Sequence, residues 1–142
     1  MSDYQELKDT IFIDTDQSNQ SSKKIITLSD TLLALFHATE LDWLTKNSSL
    51  IYPVLQGISE QSTIPQLSDL SFYSNGYCQT LESAFFTLEF LIPSTIDSNG
   101  AWWYLADEHA RKSQAQEFER FSAKEQEELT KNAKRLLKLP RR

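Results

Sequence analysis

At 142 residues the chain is the length of one domain, and a chain of this size can bury about two-thirds of its unfolded surface. It carries 14 basic and 20 acidic residues, a formal charge of −6, and 39% hydrophobic residues. That balance argues against a polycationic nucleic-acid binder. The single cysteine, Cys78, excludes an intramolecular disulfide, and three glycines leave no standard glycine-rich phosphate loop.

Residues 1–10 read as a flexible N-terminus. Met1 to Glu6 is polar and acidic, unlike a signal peptide, and the most apolar run, Ala84 to Ile92, is far shorter than the roughly 20 residues of a membrane span. Ile11-Phe12-Ile13 and Lys24 to Leu28 flank a polar loop, so residues 11–28 predict a short N-terminal β-hairpin. Asp14-Thr15-Asp16 imitates the start of a calcium loop. Asn19 then stands where the sharp turn needs glycine, and Ile25 where the final glutamate belongs, so the imitation fails.

Residues 29–121 predict a helical core. Ser29 or Asp30 caps a first helix running to about Asn47, with Leu32, Leu35, Phe36 and Trp43 at helical spacing. A shorter helix follows from Leu50 to Ile58, with Pro53 in its first turn. Pro65 opens another, which Ser74-Asn75-Gly76 ends. Tyr77 to Ile92 is apolar on two stripes, Leu81/Phe85/Leu88/Ile92 and Phe86/Phe90, and predicts the buried centre of the fold. Past Pro93 and a polar loop, a helix is expected from near Ala101, forming an antiparallel helical hairpin with its predecessor. The last element, an amphipathic helix over 122–139, opens with the capping box Ser122-Ala123-Lys124-Glu125 and runs from acidic to basic, opposing its dipole. Residues 140–142 are a basic tail. The expected fold class is mainly α: a single-domain bundle of four to six helices beside the short hairpin.

Charge is unevenly spread. Between Lys46 and Arg111 there is no lysine or arginine, while Asn47 to Ala110 carries seven carboxylates and ten of the sixteen aromatics. Such a block draws its counter-charge from the rest of the chain, from ions or from a partner. The chemistry-bearing residues are sparse. No nucleophile elbow, zinc-protease helix or paired-cysteine site is present. His37 with Glu40, and His109 with Asp107 and Glu108, could form a helical-bundle metal site if their helices met, which would make the chain a small enzyme or metal protein. Cys78 fits a small buried residue better than a nucleophile.

The leading expectation is a non-enzymatic protein-binding module of inhibitor, immunity or adaptor type. It recognises a basic partner protein through tyrosine, tryptophan and carboxylates: Tyr73, Tyr77, Glu82, Glu89, Trp102, Trp103, Asp107 and Glu108. No catalytic residue, metal or cofactor is assigned, and the expected setting is the cytoplasm. A secretion-chaperone-like protein or a helical homo-oligomer, such as a homodimer, is the third class. Nucleic acid is disfavoured because the basic residues of the tail helix are interleaved with acids.

Overall fold

The computed structural model describes residues 25–142. The expected flexible segment 1–10 and most of the hairpin 11–28 lie outside the described residues. Where the hairpin's second run is described it is not a strand: Leu28 is the first residue of a helix. The described fold is mainly helical, with six helices and a three-stranded antiparallel sheet.

Helix α1 (Leu28–Thr39) is capped by Thr27, not by Ser29 or Asp30. The Thr27 hydroxyl accepts the Asp30 amide and the Asp30 carboxylate accepts the Thr27 amide, both at 3.1 Å. The helix stops at Glu40, which takes the left-handed conformation (φ 59°), well short of Asn47. The leftover residues Trp43–Thr45 form strand β1. Helix α2 (Ser48–Gln61) starts earlier than expected because Asn47 caps it by accepting the Ser49 amide, so Pro53 falls inside the helix rather than in its first turn. Helix α3 (Pro65–Ser68) is a single turn. Asn75-Gly76 does not end it; those residues build a separate turn in which the Tyr73 amide donates to the Tyr77 carbonyl at 2.8 Å, with Gly76 at φ +86°.

Helix α4 (Gln79–Leu88) buries Leu81, Ala84 and Leu88. Phe86 and Phe90 point outward, so the second stripe is not core. The buried centre is instead α1, with eight of its twelve residues buried. A helix packed on one side only needs one apolar stripe, and α4 turns one side to α1, with Phe85 against Tyr52 and Trp103, and the Phe86 side to solvent.

The expected helix from Ala101 is a β-hairpin: β2 (Ser94–Asp97) and β3 (Gly100–Tyr104). Strand order is β1-β3-β2, with Leu44 opposite Trp103 and Trp102 between Thr45 and Thr95. Alternation along β3 turns the two adjacent tryptophans to opposite faces of the sheet. Trp103 enters the core against Phe36 and Phe85 at centroid distances of 5.5 and 4.8 Å. Helix α5 (Glu108–Glu119) begins only at Asp107, whose carboxylate accepts the Ala110 amide. Buried Gln114 ties it to the residue just after β3 by donating to the Leu105 carbonyl at 3.0 Å. Helix α6 (Ala123–Leu136) opens with the expected capping box and buries Leu129, Ala133 and Leu136. Both α5 and α6 pack on α1.

Candidate functional site

The eight expected contact residues divide into three groups. Tyr73, Tyr77 and Glu82 come together. The turn at Asn75-Gly76 stacks the two tyrosine rings at 5.7 Å and 6°. Glu82, in the first turn of α4, accepts a hydrogen bond from the Tyr77 hydroxyl, and that bond is the largest reason the Tyr77 pKa is raised. Tyr52, on α2, sits near the same carboxylate. Burial first and Glu82 second push its pKa up to about 12, so both phenols stay protonated as donors.

Phe86, one turn beyond Glu82 on α4, and Phe90, in the turn just past the end of α4, extend this cluster. Their rings meet edge to face at 5.4 Å. Exposure is 60% for Tyr73, 36% for Tyr77, 67% for Phe86 and 76% for Phe90. Four aromatic rings and a carboxylate thus make an exposed ridge. An open groove of about 540 Å³ runs beside it, lined on the α4 side by Gln79, Thr80, Ser83, Ala84 and Thr87 and on the other by Thr27, Leu28 and Ser29. A contiguous array of large exposed apolar rings is unusual on a surface and marks contact sites. The aromatic type of Phe86 and Phe90 was visible in the sequence; their outward direction was not.

The second group is charge already met within the chain. Glu89 pairs with Lys46 and accepts from the Ser94 hydroxyl. Asp107 is occupied as a helix cap, and Glu108 is exposed in the first turn of α5, where a carboxylate opposes the helix dipole. The third group is too deep to touch a partner: Trp103 is 0% exposed and Trp102 is 3%.

The basic-free stretch therefore recovers part of its counter-charge from its flanks. Lys46 meets Glu89, and Arg142 meets Asp97 at 2.8 Å. Glu60, Asp69, Glu82 and Glu108 have no ion pair among the described residues.

The histidines do not assemble a site. His37 packs on the Phe118 ring at 5.0 Å, nine residues along α5 from His109, or about 13 Å of helix. Burial, then the Arg111 charge, lowers the His37 pKa, while Glu40 and Glu119 oppose that shift. His109 is exposed. Among the described residues no three histidine, cysteine or carboxylate side chains group as metal ligands. Cys78 is buried just before α4, with its Sγ 3.2 Å from the Thr80 hydroxyl. No described helix is long and apolar enough to cross a membrane.

Comparison with known proteins finds no matching family model, no matching curated protein and no matching solved structure.

Proposed function

We propose that this chain is a protein-binding module of inhibitor, immunity or adaptor type, and that the ridge Tyr73, Tyr77, Glu82, Phe86, Phe90 is its contact surface. The observation that supports this most is the outward pair Phe86–Phe90 in line with Glu82, which has no ion pair among the described residues. Exposed rings supply apolar area at low entropic cost, and the carboxylate selects the charge of what covers them. The partner is a protein segment that is apolar along one side and basic along its edge. No lysine or arginine occurs between residues 47 and 110 to compete for that role. A cytosolic setting suits the lone buried cysteine.

Co-purification from the native host tests this reading, with wild type beside Phe86→Ser/Phe90→Ser and Glu82→Gln. Both sets of positions are exposed, so the fold survives them. The expected result is a stoichiometric protein retained by wild type, lost from the double serine variant, and released more readily by salt from the glutamine variant. Equal recovery by all three proteins would exclude the ridge as the contact surface.

A further inference from the structure

The outer face of the sheet holds a second built feature, on a different side of β3 from the core. Asp97 and Trp43 stand at the two edges of this face, with Trp102 and Tyr104 of β3 between them. Arg142 crosses it. Its guanidinium lies 4.0 Å from the centroid of the Trp43 ring, and its Nε donates to Asp97 Oδ2 at 2.8 Å. The receiving groups are themselves held. Asp97 Oδ1 accepts the Trp102 indole N–H at 3.2 Å and the Asn99 amide at 2.8 Å. The Trp43 ring is backed by Tyr104 at 4.5 Å. The carboxylate is therefore held by two donors besides Arg142, and the π-face by a second ring.

A flat π-face on one side and an oriented carboxylate on the other suit a planar guanidinium better than an ammonium. The guanidinium stacks and donates from Nε at once, whereas a lysine must choose one contact. We infer that Trp43 and Asp97 form an arginine-binding site, with buried Trp102 holding the carboxylate from behind, that its external ligand is an arginine side chain of a protein partner, and that Arg142 is the intramolecular occupant such an arginine displaces. The site lies beyond the ridge of α4 and is joined to it through Glu89, which bridges Lys46 after β1 to Ser94 of β2. A partner basic along one edge could engage both. An internal occupant weakens apparent affinity by the fraction of time it fills the site, so removing Arg142 should strengthen binding of an external arginine.

The test is a titration of Arg142→Ala, uniformly ¹⁵N-labelled, with Nα-acetyl-arginine amide and separately with Nα-acetyl-lysine amide. The Trp102 indole N–H, bonded to Asp97, is the direct reporter, and the core indole of Trp103 is the control. Saturable movement of the Trp102 and Trp43 indoles is expected with the arginine compound. At least roughly tenfold weaker response is expected from the lysine compound, and from wild type, where Arg142 fills the site. Arg142→Ala/Asp97→Asn keeps a turn-compatible side chain at 97 and should abolish the response. Static Trp102 and Trp43 indoles in a folded Arg142→Ala protein would overturn the proposal and leave Arg142 as a structural clamp only. If Arg142→Ala does not fold, the same titration of Arg142→Lys, which keeps the charge but loses the planar fork, gives the same two outcomes.

Discussion

Single side chains decide where this fold is tied together. Glu128 on α6 accepts from the Ser62 hydroxyl at 2.8 Å and from the Thr63 amide and hydroxyl at 2.8 and 2.5 Å, closing the corner between α2 and α3. Partial burial alone would raise its pKa, but the Thr63 and Ser62 hydrogen bonds outweigh that and hold it low. Glu128→Ala leaves three donors to water and should cost about 1–3 kcal/mol in denaturant unfolding. The pH dependence follows with a definite sign. His37 has a lowered pKa, so the unfolded chain binds its proton more readily and stability declines as pH falls below 6.5, the ordinary histidine value. Glu128 is also lowered, so its contribution is complete above the ordinary value of 4.5 and disappears as pH falls through its folded value. Two acid steps are expected in the stability profile, and His37→Gln should remove only the upper one. Glu40 is the one described non-glycine residue with positive φ. A left-handed conformation costs an L-residue about 1–2 kcal/mol, so Glu40→Gly should be neutral to mildly stabilising in thermal melts.

The elements differ in how openly the sequence announces them. Helix α6 was legible because its capping box and its stripe of Leu129, Ala133 and Leu136 are local signals, and both are realised. The hairpin 94–104 was not. Trp102 and Trp103 are both buried, on opposite faces, which erases the alternation that identifies a half-exposed strand. The turn Asp97-Ser98-Asn99-Gly100, with glycine at φ +126°, was the signal that could have identified it. Phe86 and Phe90 misled for the converse reason: apolar type does not fix burial, and what lies outside α4 depends on the placement of α1. Helix α2 offers a test of packing against propensity. A Cβ at Gly57 would stand 2.7 Å from Arg135 Nη1, the tip of a flexible side chain whose other nitrogen bonds Gln61 Oε1. The exposed Arg135–Gln61 bond is weak, while alanine gains up to about 1 kcal/mol inside a helix. Gly57→Ala should therefore raise the melting temperature slightly; a fall would mean Arg135 cannot swing aside.

At the scale of the whole molecule, charge is divided between a body that contains a long basic-free stretch and a tail that answers part of it. Arg142 reaches Asp97 and Arg135 reaches Gln61, so the basic C-terminal region docks on the body. None of these partnerships was legible in the sequence, because they join residues 45 and 74 positions apart. Of the carboxylates without an ion pair among the described residues, Glu82 is the one that stands in line with exposed rings, on the ridge of Tyr73, Tyr77, Glu82, Phe86 and Phe90. The most direct test of its role is a chemical-shift titration of the intact chain with an amphipathic lysine–leucine peptide and with its glutamate–leucine counterpart, at low and at moderate salt. The basic peptide should move amides and ring signals at those five positions and along the adjoining α4 groove, more weakly as salt rises, while the acidic peptide leaves them in place. Equal shifts from both peptides, or shifts that avoid α4, would contradict the assignment of this ridge as a surface for a basic partner.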